Sequence, residues 1–135
     1  MKGIARQIRC GSFKKNHSKE KLAFSQMKKS EINFKIELDQ NNVPEKILWD
    51  ATDKPEVGFT ESKAISLSLW DHQQKNTLRI DLWTKEMPVN EMKRFYIDCL
   101  GGLAQSVLTS TGDEKMSSEI NSLCERLAVE VQKTQ

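Results

Sequence analysis

Ala64-Ile65-Ser66-Leu67-Ser68-Leu69-Trp70 and, six residues later, Thr77-Leu78-Arg79-Ile80-Asp81-Leu82-Trp83 are the stretches that decide the fold. In the first, Ile65, Leu67 and Leu69 alternate with Ala64, Ser66, Ser68 and Trp70. In the second, Leu78, Ile80 and Leu82 alternate with Thr77, Arg79, Asp81 and Trp83. A period of two places one aliphatic face and one polar face on each stretch, the signature of a half-covered strand. The polar link Asp71-His72-Gln73-Gln74-Lys75-Asn76 is short enough to join them as an antiparallel hairpin.

Towards the N-terminus the same period recurs. Ile32, Phe34, Ile36 and Leu38 alternate with Asn33, Lys35, Glu37 and Asp39. A turn through Gln40-Asn41-Asn42-Val43-Pro44 leads to a second strand from Lys46 to about Ala51, and a loop punctuated by Pro55 and Gly58 follows. Towards the C-terminus the period changes to that of a helix. Met92, Phe95, Tyr96, Cys99, Leu100, Leu103, Ala104, Val107 and Leu108 form one stripe; Met116, Ile120, Leu123, Cys124, Leu127, Ala128 and Val131 form another. Pro88 suits a first turn, Gly112 a helix end, and Asp113 the cap of the next helix. The expected fold is α+β: a four-stranded antiparallel sheet followed by two C-terminal helices packed on one face. The aliphatic strand faces are expected to meet the helical stripes in one core.

Of the 135 residues, 37% are hydrophobic and 30% charged, enough for a single core and against full disorder. No run of 18 apolar residues suggests a membrane span. Three cysteines without a secretory leader argue against a disulfide framework. The charge is split. Residues 1–26 hold seven basic residues and one acid, a net of +6, while residues 27–135 hold 14 bases and 18 acids, a net of −4. The division expected is a basic, disordered tail over 1–26 and a single α+β domain over 27–135, with Met27 resembling a natural start. Three readings of the tail stand: an arm without a role, an arm that touches an acidic partner, and a targeting peptide. An acidic body disfavours nucleic acid, and neither a βαββαβ order nor an RNP1-like motif is present.

No constellation for catalysis emerges. His17 and His72 lack a second ligand at metal spacing, and Cys10 lies in the tail. Cys99 and Cys124 fall on apolar helix faces, where a thiol packs as a small hydrophobe. No phosphate loop, nucleophile elbow or zinc helix occurs. Gly101 and Gly102 interrupt a helix at about 1 kcal/mol each relative to alanine, which suggests close approach by another backbone. No catalytic, cofactor-binding or metal-ligating residue is assigned, and the chain reads as a non-enzyme. Trp70 and Trp83 are the informative residues, out of phase with the leucines of their own strands. With Ser66, Ser68, Arg79 and Asp81 they define a candidate protein-contact face on the side of the sheet away from the helices. Trp49 shares the phase of Ile47 and is expected in the core.

Several segments resemble a known family: Met27-Lys-Lys-Ser-Glu-Ile-Asn-Phe, Val43-Pro-Glu-Lys-Ile-Leu-Trp-Asp-Ala-Thr-Asp, Leu82-Trp-Thr-Lys-Glu-Met, Glu91-Met-Lys-Arg-Phe-Tyr and Gly101-Gly102. In this order they are similar to the gliding motility protein GldC of Bacteroidetes, over essentially 27–135. Pro88 departs from the threonine-like cap expected there. The resemblance implies a cytoplasmic accessory protein of gliding motility, a process linked to type IX secretion, with other gliding components as protein partners. It supplies no cofactor, ligand or catalytic residue. Homo-oligomer formation is compatible with it. The order of strands then helices is also that of the export chaperone SecB, and the alternative is a SecB-like module that holds secretion clients.

Overall fold

The computed structural model describes residues 27–133. The tail over 1–26, with Cys10 and His17, lies outside the described residues. Five strands precede two helices: β1 Ile32–Leu38, β2 Pro44–Ala51, β3 Thr60–Ser62, β4 Ala64–Trp70, β5 Thr77–Trp83, α1 Val89–Thr111 and α2 Glu114–Lys133. The α+β class is as expected, and the single four-stranded sheet is corrected to two antiparallel sheets, β1-β2-β3 and β4-β5. The cause is local. Residues 60–70 form nearly one strand, bent at Lys63. Its first part pairs with β2, Ile47 opposite Ser62 and Trp49 opposite Thr60. Its second part pairs only with β5. The Thr84 amide donates to the Lys63 carbonyl at 2.9 Å and secures the bend.

Asp side chains set both tight turns. The Asp39 carboxylate accepts the amides of Asn41 at 2.8 Å and Val43 at 2.9 Å, holding the turn that needs Asn42 at φ 60°. Asp71 accepts the amides of Gln73 and Gln74 in the same way, and Lys75 takes φ 56° before β5. Such side-chain bonds to following amides are why Asp begins turns. Lys85 then ties the end of β5 to the first turn, donating to Asp39 and, at 3.5 Å, to Glu45. Lys85 holds the Asp39 carboxyl below its usual range, with help from the Val43 amide.

The junction of the two helices is as the sequence predicts. Gly112 adopts φ 72° and its amide donates to Leu108. Asp113 caps α2 by accepting the Met116 amide at 2.8 Å. Pro88 stands one residue before α1 rather than in its first turn, extended at ψ 143°, and offers no side-chain cap. The helices lie antiparallel and pack closely through small residues: the buried Ser117 hydroxyl donates to the Ala104 carbonyl at 2.9 Å, and Ala104 is fully buried. Cys124 approaches the Ile97 carbonyl lower on the same seam.

The core is small. Ile47 and Ala104 are fully buried, with Ala64 and the polar Thr84 and Ser117 nearly so. Two expectations are corrected here. Leu123 is 38% exposed and is not a core anchor. Among the described residues a Cβ added at Gly101 or Gly102 would meet nothing within 4 Å, so no neighbouring backbone there explains either glycine.

Candidate functional site

β4 and β5 form a seven-residue ribbon in unbroken register, Ala64 opposite Trp83 and Trp70 opposite Thr77. The register puts Trp83, Asp81, Arg79, Ser66, Ser68 and Trp70 on one face, as the alternation predicts. The two indoles stand at opposite ends of that face, about 20 Å apart at the rise of a strand. Trp70 is 66% exposed and Trp83 51%. Between them the polar side chains satisfy one another: the Ser66 hydroxyl donates to Asp81 Oδ1 at 2.6 Å, and Arg79 Nη2 pairs with Asp81 Oδ2 at 2.9 Å. Ser66 above all, then Arg79, keeps the Asp81 carboxyl below its usual range. The face is a fixed polar strip with an aromatic ring at each end.

Cover on the ribbon is graded along its length: Ala64 to Leu67, with Asp81 and Leu82, are buried or half-buried, whereas Ser68 to Trp70 and Thr77 to Ile80 are exposed. The Cys99 thiol is pushed up, first by burial, then by the negative charges of Asp98 and Asp81, with Arg79 opposing. A thiol raised in this way is a poor nucleophile. Among the described residues no group of three His, Cys, Asp or Glu side chains is placed to hold a metal ion.

The opposite face pairs Ile65 with Leu82, Leu67 with Ile80 and Leu69 with Leu78. It was expected beneath the helices. The end with Ile65, Leu67 and Leu82 is half-buried, while Leu69, Leu78 and Ile80 remain 50%, 49% and 47% exposed. A second apolar surface lies along the helix pair. Tyr96 and Leu100 of α1 and Leu127 of α2 line a groove with Lys93 and Glu130 at its rim. Leu103 is one turn beyond Leu100 and Leu123 one turn before Leu127, so both continue this flank, with Met116 farther along. Leu103 and Met116 are 55% and 52% exposed. Trp49, expected in the core, is half-buried with the Lys54 ammonium 4.9 Å from its ring centre.

The family described as Gliding motility-associated protein GldC-like matches residues 44–133. The chain belongs to the GldC-like family. The match runs from β2 to the end of α2, so ribbon and helix pair lie within it, and β1 outside. The family name associates the chain with gliding motility. No curated protein matches the chain, and no solved structure does. Among the described residues no helix is long and apolar enough to cross a membrane.

Proposed function

We propose that this GldC-like chain is a non-enzymatic, cytoplasmic accessory protein that acts in gliding motility by docking a protein partner on the indole face of β4–β5. One observation carries the reading: two exposed tryptophans project from a strip whose charges are already paired. Burying a large aromatic ring contributes more to association than most surface residues, and tryptophan and arginine dominate binding hot spots. The Ser66–Asp81–Arg79 bonds hold the strip rigid, so little ordering is needed when a partner arrives. The spacing of the indoles favours a partner surface long enough to meet both.

Co-purification of gliding components with the full chain tests this. Trp70→Ser combined with Trp83→Ser is expected to release them while leaving the helical circular dichroism unchanged. An unaltered set of bound gliding components contradicts the reading. A second reading, a SecB-like holder of secretion clients, is favoured by the open aliphatic face of the ribbon and rests otherwise on the order of strands and helices alone. It predicts measurable affinity for an unfolded reporter chain, and none contradicts it.

A further inference from the structure

β1 forms one margin of the three-stranded sheet, and its backbone bonds show which of its groups are engaged. The Thr52 amide donates to the Glu31 carbonyl at 3.0 Å, and the Glu31 amide donates to the Thr52 hydroxyl at 3.0 Å. Residue 31 therefore turns its backbone towards β2. In an antiparallel pair every second residue does so. The register carries the alternation onwards: Asn33 opposite Asp50, Lys35 opposite Leu48 and Glu37 opposite Lys46 bond inwards. Ile32, Phe34 and Ile36 consequently turn their N–H and C=O groups away from the sheet. Among the described residues no strand other than β2 pairs with β1. Such a margin is ordinarily blunted by proline, by shortness, by a bulge or by a lysine on its rim. β1 has seven residues and no proline, and its one register irregularity falls after Glu37. Its Lys35 ammonium leans across the sheet, 4.1 Å from the centre of the Phe59 ring.

We infer that β1 receives an extended peptide segment of a partner protein as a further, antiparallel strand. The outward groups specify the occupant: N–H and C=O pairs recurring at every second residue along a straight margin are matched by another extended backbone. Side chains specify the rest. Ile32 and Phe34, 55% and 36% exposed, and half-buried Ile36 share one face of the strand. Apolar residues at alternate positions of the segment lie beside them. On the other face Glu37 is exposed and has no ion-pair partner among the described residues. A basic residue of the segment therefore belongs opposite Glu37, since opposite charges facing each other across strands are favourable. Lys35, already over Phe59, calls for no charge. One added strand covers well under the roughly 1,200 Å² of a stable interface. The contact thus suits transient capture of a segment and not a lasting pair of copies of this chain. β1 and the indole strip lie in different sheets, so the inference stands apart from the partner reading above.

The probe is a capped, fluorescently labelled heptapeptide, Val-Lys-Val-Thr-Val-Thr-Val, whose lysine falls opposite Glu37 in the antiparallel register. Its fluorescence anisotropy is expected to rise on titration with the full chain. The same peptide N-methylated at its third and fifth residues, which face Ile36 and Phe34, should lose binding. Glu37→Lys should bind the lysine peptide severalfold more weakly and prefer Val-Glu-Val-Thr-Val-Thr-Val, with circular dichroism verifying its fold. Amide exchange read by NMR locates the contact: in the free chain Ile32, Phe34 and Ile36 should exchange faster than Asn33, Lys35 and Glu37, and the peptide should slow the first three selectively. No binding at millimolar peptide overturns the inference, as does binding that survives N-methylation. Slow exchange of Ile32, Phe34 and Ile36 in the free chain also overturns it: at every protein concentration it means that the margin is taken by the chain's own residues 1–26, and only at high concentration that it is taken by a second copy.

Discussion

The β1-β2-β3 sheet and the β4–β5 ribbon have the same alternating pattern and opposite fates. In the first, Ile47 sits on the central strand between Ile36 and Ser62 and is fully buried. In the second, Leu78 and Ile80 are as regularly placed and remain about half exposed. Alternation therefore dictates which side of a strand is apolar and is silent about what covers it. A central strand has neighbours on both edges; a ribbon depends on something brought to its face, and here only the end that holds Ala64, Ile65, Ser66 and Leu67 is covered.

The largest effect that could break the contrast is at its buried end. Ile47→Ala should destabilise the fold by about 2–5 kcal/mol in urea unfolding at any protein concentration. Ile80→Ala should cost well under that, since about half of its side chain is already in water. Equal losses would mean that the two regions do not differ.

Smaller effects sharpen the account of the helices. Asp113→Ala should cost about 1 kcal/mol by removing the α2 cap, read as a lower thermal midpoint. Gly101→Ala and Gly102→Ala should each raise stability by up to about 1 kcal/mol, because the helix gains and the new Cβ meets nothing among the described residues. A loss at either position would reveal a close neighbour.

The sequence made much of this legible. Strict alternation located β4 and β5 and the face of every residue in them, and Gly112 and Asp113 marked the junction of the helices. β3 was not legible, because Thr60-Glu61-Ser62 has no apolar alternation and forms only through pairing with β2. The division into two sheets was hidden for the same reason: the bend at Lys63 has no glycine or proline to announce it. The six residues of the candidate contact face were placed together correctly by register. How far cover extends along the ribbon was not legible, because the alternation is the same from end to end while burial falls off after Leu67. The open flank through Leu103 and Leu123 looks in sequence like a core stripe, and only burial tells the two apart.

The smallest predicted effect is electrostatic. Asp81 and Asp39 both have carboxyls held below their usual range. Their contribution is therefore full above about pH 4, the value of an unfolded carboxylate, and is lost as pH falls through the lower folded values. Acid unfolding of Asp81→Asn should lack part of that decline; an unchanged acid limb would mean the Ser66 and Arg79 bonds contribute nothing.

Hydrogen exchange of the full chain tests the contrast between the two regions most directly. The central β2 amides should be protected far more strongly than those of 68–70 and 77–80, where the ribbon is exposed. Equal protection in the two regions would contradict it.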